Sequence, residues 1–128
     1  MSSTTPIETN QAPAAIGPYS QGRSGAGLVF VSGQLGLDPV TGDLKGTNLS
    51  NQTRQALTNM LAVLQAGGCA LEDVASVDVF LTNMGDFQEF NRIYEDFFGE
   101  HKPARAVVAV KALPRGGRVE IKCLALKS

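Results

Sequence analysis

An α+β fold, one mixed β-sheet with two helices packed on one face, is what this 128-residue sequence predicts. Three observations lead there. Two segments repeat apolar residues every three to four positions, the mark of amphipathic helices. Other segments alternate apolar and polar residues, the mark of strands with one buried face. The helical segments are interspersed among the strands, and a sheet layered with helices buries both kinds of apolar face. The length fits one domain, residues 1–128, with a single core.

The elements follow in order. Residues 1–10 are polar, with Ile7 able to start a short strand, and residues 11–22 form an irregular Pro/Gly segment. Val29–Ser32 reads as a strand ending at Gly33. Asp38–Asp43 is a loop, because Asp-Pro and Thr-Gly are turn signals, and its acidic spacing is not that of a calcium site. A helix is expected over Leu49–Ala66, with Ala56, Leu57, Met60, Leu61 and Leu64 on one face. Asn48 or Ser50 can cap it and Gly67-Gly68 ends it. Leu71–Leu81 alternates, with Ala75, Val77, Val79 and Leu81 on one side, and is expected as a strand. A second helix is expected over Asp86–Phe98, capped by Asp86, stopped by Gly99 and buried through Phe87, Phe90, Tyr94 and Phe97. The chain should close with a hairpin of Arg105–Lys111 against Arg118–Leu126, turning through Ala112–Gly117.

One strand has a consequence for assembly. Ala106-Val107-Val108-Ala109-Val110 is apolar at both parities, so both its faces favour burial. Two helices on one side cover only one face. The other is expected to meet further copies of the chain.

Composition narrows the function classes. Tryptophan is absent and aromatics make up 6% of residues, so no stacking platform for bases is evident. Two cysteines and one histidine are too few soft ligands for a structural zinc site. Cys123 should be buried and Cys69, after two glycines, more exposed. His101 is expected at the surface and cannot form the paired-histidine arrangement of many ribonucleases. No glycine-rich phosphate loop lies between a strand and a helix, and no cofactor is indicated. The first basic residue is Arg23, late for a targeting segment, and no apolar run approaches membrane-spanning length. A cytoplasmic protein is expected. Net charge is −1 but unevenly placed, at −7 over residues 1–100 and +6 over 101–128. A cationic C-terminal hairpin can attract small anions, bind nucleic acid, or dock on an acidic neighbouring subunit. Lys111, Arg115 and Lys127 are read as solvated.

Two charges stand out because they sit in apolar runs. Arg105 follows Pro103-Ala104 and opens the run 106–110, and Glu120 lies between Val119 and Ile121. Across a hairpin the two would face each other. Arginine offers a planar fork for a carboxylate, and glutamate can position or deprotonate a water. The pair therefore reads as a site where water attacks a small carboxylate-bearing substrate, or as a structural salt bridge. Spacing alone does not separate the two.

The whole chain resembles the reactive intermediate deaminase family (Rid, also YjgF/YER/UK). Three segments carry the likeness: Ala12–Gly22, Val29–Gln34, and Pro103–Ala106 continuing to Val119–Ile121. Arg105 resembles the mark of the RidA subgroup. The resemblance implies a homotrimer with a central barrel, a chorismate-mutase-like architecture, and active sites in clefts between subunits. It also implies hydrolysis of 2-imino acids, the tautomers of enamines from serine or threonine dehydration, to 2-oxo acids and ammonia. The residues it implicates are Tyr19, Ser32, Gly33, Asn91, Arg105 and Glu120. Arg105 would hold the substrate carboxylate, with Gly33 N–H as a second donor. Ser32 and Asn91 would contact the substrate, Glu120 would activate water, and Tyr19 would orient it. Val107 stands where many members have cysteine, which puts any thiol role in doubt. An RNA-binding translation inhibitor with endoribonuclease activity is the alternative attached to the same family.

Overall fold

The computed structural model of the chain describes residues 2–128. Strands β1 (Thr5–Ile7), β2 (Gly22–Gly25) and β3 (Leu28–Leu35) precede helix α1 (Leu49–Ala66). Strand β4 (Val74–Leu81), helix α2 (Phe87–Phe98), β5 (Ala104–Ala109) and β6 (Val119–Leu126) follow. The strands form one sheet in the spatial order β1-β2-β3-β6-β4-β5. Every neighbouring pair is antiparallel except β4 and β5, which run parallel. Parallel neighbours need a crossover, and α2 makes it. The mixed sheet with two helices is the fold that the periodicities predict.

The expected C-terminal hairpin does not form. β6 lies between β3 and β4, so β4 separates it from β5. Arg105 sits beside Val77 of β4, whereas Glu120 lies between Leu35 of β3 and Phe80 of β4. The reason is the value of a central position to β6. Val119, Ile121, Cys123 and Ala125 are all buried on one side of it. Between two neighbours, both edges of its backbone find hydrogen-bond partners inside the sheet.

Both helices pack on the face that carries those four residues. Val29 and Val31 of β3, Val77, Val79 and Leu81 of β4, and Ala56, Leu57, Met60, Val63 and Leu64 of α1 share one core with them. α1 has the expected limits, and the Asn48 side-chain oxygen accepts from the Asn51 N–H at 2.8 Å. α2 departs from expectation at its start. Asp86 holds the N-cap position, but its side chain makes no capping hydrogen bond. Its carboxylate instead takes the Arg118 guanidinium at 3.0 and 3.1 Å, tying α2 to the start of β6. Phe90, Ile93, Tyr94 and Phe98 form the buried stripe, and Phe87 and Phe97 are only partly covered. β4 begins at Val74 because a 3-10 turn occupies Leu71–Asp73. Cys69 is buried, since the backbone after Gly68 turns back against α1 and its N–H reaches Leu64 O at 2.9 Å. His101 is half-buried, with its Nε2 2.7 Å from Val74 O.

Two amides on the apolar face of α1 hold the loops above the sheet. Asn59 Nδ2 donates to Leu35 O at 3.1 Å and Leu37 O at 2.9 Å. Gln52 Nε2 donates to Gly46 O at 3.0 Å, and its Oε1 accepts from Arg118 N at 2.8 Å. Both side chains are fully buried. Asn59→Ala leaves the buried Leu35 carbonyl and the partly buried Leu37 carbonyl without that donor. It is expected to lower unfolding free energy by about 2–4 kcal/mol, read as a shift of the urea midpoint without a change in slope.

The opposite face of the sheet carries no helix. Phe30, Val108 and Leu126 are 42%, 47% and 52% exposed there, beside Leu124 and Phe80. The apolar, uncovered face anticipated from residues 106–110 is present in the chain. It is broader than that run, because β3 and β6 add to it.

Candidate functional site

Glu120 is fixed by strand alternation. Its neighbours Val119 and Ile121 turn into the core, so its own side chain turns to the uncovered face. Opposite it, β3 carries an irregularity between Val31 and Gln34, which places Ser32 and Gly33 against the glutamate. The approach at Gly33 is close: a Cβ there would lie 2.8 Å from Glu120 Oε2. Glycine is needed at this position because any side chain would push the carboxylate aside. Burial raises the Glu120 carboxyl above its ordinary value, and Lys122 draws it partway back.

The irregular segment before β2 forms the next wall. The Ser32 hydroxyl donates to Ser20 O at 2.6 Å and the Ser32 N–H to Gln21 O at 2.9 Å. The buried Gln21 side chain then holds the segment's other end, through Thr9 N–H at 2.8 Å and Pro13 O at 2.8 Å. Between these ties Tyr19 projects half-exposed, with its N–H bonded to Gly17 O at 2.9 Å. Ser32 thus builds the wall that carries Tyr19. A cavity of about 640 Å³ results, onto which Tyr19, Ser32, Gly33 and Glu120 all open. Leu35, Ile16, Pro114 and Arg115 complete it.

Arg105 and Asn91 lie elsewhere. In register with Val77, Arg105 turns to the helix face, where α2 receives it. Its guanidinium donates to Asn91 Oδ1 at 2.6 Å. It also lies 4.7 Å from the centre of the Tyr94 ring and 5.8 Å from that of Phe87. An arginine stacked on aromatic faces keeps its remaining N–H groups directed at solvent or a ligand. Burial pushes the Tyr94 hydroxyl up to about 12, so it stays protonated and neutral, while Arg105 pulls the other way. A smaller cleft of about 220 Å³ opens here, lined by Asn91, Tyr94 and Arg105. Val107 packs against the core beside them.

The six residues therefore fall into two groups on opposite faces of the sheet. Tyr19, Ser32, Gly33 and Glu120 come together, and so do Asn91 and Arg105. Within one chain the two groups do not meet. The sequence reading missed Gln21, Gln52 and Asn59. Arg115 is exposed, as expected, and also borders the cavity. Three of the seven Lys and Arg in residues 101–128 pair with acids. Arg118 pairs with Asp86, Lys122 with Asp78 at 4.0 Å, and Arg115 with Asp43 at 3.7 Å. Among the described residues no helix is long and apolar enough to cross a membrane.

Gly33→Ala tests the close approach. The atom in the way is the far end of a side chain, so the fold should survive. Displacing the glutamate is expected to lower any activity that depends on its carboxylate by roughly a hundredfold, with a thermal midpoint near that of the parent.

A half-buried carboxylate facing a cavity of this size makes a candidate small-molecule site in a small α+β protein. Comparison with known proteins narrows this. The family described as Endoribonuclease L-PSP matches residues 9–127. A Bos taurus protein named 2-iminobutanoate/2-iminopropanoate deaminase is 44% identical over 121 residues, covering 94% of this chain and 88% of that protein. The crystal structure of the YjgF gene product from E. coli superposes with a TM-score of 0.92 at 38% identity, covering 97% and 99% of the two chains. That of E. coli TdcF with bound serine gives 0.93 at 38% identity, again covering 97% and 99%. The chain belongs to the endoribonuclease L-PSP family, the YjgF/RutC or reactive intermediate deaminase family.

Proposed function

We propose that this protein hydrolyses 2-iminobutanoate, 2-iminopropanoate and related 2-imino acids to 2-oxo acids and ammonia, at sites shared between the copies of a homotrimer. One observation carries the reading. Glu120 and Arg105, the two charges suited to the chemistry, are each held ready on their own side of one sheet. A second copy laid on the uncovered face can bring its Arg105 and Asn91 to the first copy's Glu120, Gly33 and Tyr19. The exposed Phe30, Val108 and Leu126 supply an apolar surface for such packing. The serine in E. coli TdcF is an amino acid with the same α-carboxylate as the substrates proposed here.

In this reading Arg105 grips the α-carboxylate through two parallel N–H···O bonds, held in line by Asn91 and the Tyr94 ring. The Gly33 N–H adds a second donor. The imine reacts as its N-protonated form, C2=NH2+. Glu120 takes a proton from water as the water oxygen bonds to C2, the C=N π pair moves to nitrogen, and a neutral carbinolamine forms. Glu120 then gives that proton to the amine nitrogen, the C–N bond breaks and ammonia leaves, while the hydroxyl proton passes to Glu120 as the C2 carbonyl forms. Tyr19 orients the water or the imine nitrogen. A base whose pKa lies above the usual carboxylate value is better matched to both transfers near neutral pH.

The pH profile follows with its sign. Glu120 must be ionised to accept the proton, so kcat/KM rises with pH through its raised pKa, above the usual carboxylate range. Lys122 favours the ionised form, so Lys122→Ala is expected to move that limb to higher pH. An unmoved limb would assign it to another group. Glu120→Gln should remove the limb and lower kcat more than it changes apparent affinity.

The direct experiment supplies freshly generated 2-aminoacrylate or 2-aminocrotonate and follows pyruvate or 2-oxobutyrate. Release no faster than buffer, by folded oligomer, rejects the proposal. The family's endoribonuclease description supports a second reading, cleavage of RNA. Pairing of three of the seven C-terminal cations with acids weighs against it. Binding through phosphates would be strongly salt-dependent. Robust, salt-insensitive cleavage by the parent, absent in Arg105→Ala, would place RNA first.

A further inference from the structure

Arg115 is an unusual residue for its place. It is the central residue of the 3-10 turn Pro114–Gly116, at φ 62° and ψ 14°. The left-handed region is unfavourable for any residue with a Cβ, and glycine takes it without that penalty. Gly116 and Gly117 follow at once, so the turn has glycine nearby but not at this position. The long cationic side chain is instead part of the cavity wall that also contains Glu120. Its one acidic partner among the described residues is Asp43, 3.7 Å away, with the two side chains 50% and 79% exposed. An exposed pair of that kind contributes little and yields to a better acceptor.

Within one chain the cavity opens both onto Glu120 and onto Arg115. Its wall also carries the apolar Leu35, Ile16 and Pro114, alongside Gln21 and Gln34. A substrate chain can extend along that wall and end at the guanidinium.

We infer that Arg115 is a specificity-determining residue that binds a second, distal carboxylate, so that the site takes four- and five-carbon 2-imino dicarboxylic acids. This rests on the imine-hydrolysis reading. Arg105 of one copy holds the α-carboxylate, C2 lies at Glu120 of the neighbour, and that neighbour's Arg115 exchanges Asp43 for the distal carboxylate. The planar fork favours a bidentate acceptor over the single contact to Asp43.

The experiment compares 2-iminopentanedioate with 2-iminopentanoate, each generated in situ from its amino acid by an oxidase. The substrates match in chain length and differ in the distal charge. The variant is Arg115→Gly, which suits the backbone at φ 62° and so keeps the turn. The ratio of kcat/KM values, dicarboxylate over monocarboxylate, is expected to fall at least tenfold in Arg115→Gly and to recover in part in Arg115→Lys. An unchanged ratio, or equal losses on both substrates, overturns the inference. A binding arm stands apart from turnover: calorimetry with 2-oxopentanedioate and 2-oxopentanoate. At least tenfold tighter binding of the dicarboxylate by the parent, lost in Arg115→Gly, supports the inference even if neither imine is hydrolysed. That outcome would reject only the hydrolytic reading. Equal affinities overturn the role of Arg115.

Discussion

Replacing Arg105 by alanine is expected to lower turnover of 2-imino acids on the order of a thousandfold while leaving the fold in place. The side chain is exposed and lies on α2 rather than inside the core. In the proposed reaction its loss would remove the grip on the α-carboxylate, so that C2 would no longer be held where water attacks. Arg105→Lys keeps the charge but loses the fork, the Asn91 bond geometry and the stacking on Tyr94. It is expected to be down roughly a hundredfold. Steady-state kinetics with 2-iminobutanoate reads both values, and circular dichroism checks the fold. Near-normal turnover by the lysine variant would mean that position 105 supplies only charge.

Mixing two inactive variants is expected to restore activity. Arg105→Ala subunits retain Glu120, and Glu120→Gln subunits retain Arg105. In a closed ring where each site takes one residue from each of two neighbours, random mixing leaves about a quarter of the sites complete. Recovery to about that fraction is the expected result, and Tyr19→Ala should complement Arg105→Ala in the same way. Native mass spectrometry establishes that mixed assemblies formed. No recovery in their presence rejects the shared site.

Much of the fold is legible in the sequence because burial imposes a period. The apolar spacing of residues 49–66 gives both the limits of α1 and its buried face. The alternation in 119–126 gives the direction of every β6 side chain, Glu120 included. Pairing leaves no such trace. Two strands separated by a turn with Pro114, Gly116 and Gly117 look like a hairpin, yet β6 finds neighbours far away in the chain. Periodicity says which face a residue takes and nothing of which strand lies alongside. β2, Gly-Arg-Ser-Gly at residues 22–25, has no apolar alternation and owes its existence to β1 and β3 on either side.

The candidate site divides in the same way. Glu120 and Arg105 are conspicuous because charge in an apolar run demands an explanation. Gly33 gains its meaning only from the 2.8 Å that a Cβ would leave to the Glu120 carboxylate. Asn59 and Gln52 did leave a signal, as polar residues on the apolar stripe of α1. Gln21 did not, because its partners are backbone groups of an irregular segment. The sequence also placed Arg105 opposite Glu120, and the correction strengthens the case for a shared site. A cross-strand partner would have neutralised the arginine within its own chain.

The position of β5 at the rim of the sheet has a further consequence, for the life of a newly made chain. One side of its backbone has no strand alongside, and Ala106-Val107-Val108-Ala109 carries no charge. Short, uncharged, β-prone segments on a free edge are templates for amyloid-like stacking. Until another molecule covers this region, each polypeptide leaving the ribosome is at risk of precipitation. Variants that weaken assembly should therefore accumulate in inclusion bodies as well as lose turnover. Mixed complexes are better produced by co-expression than by separating and rejoining purified subunits.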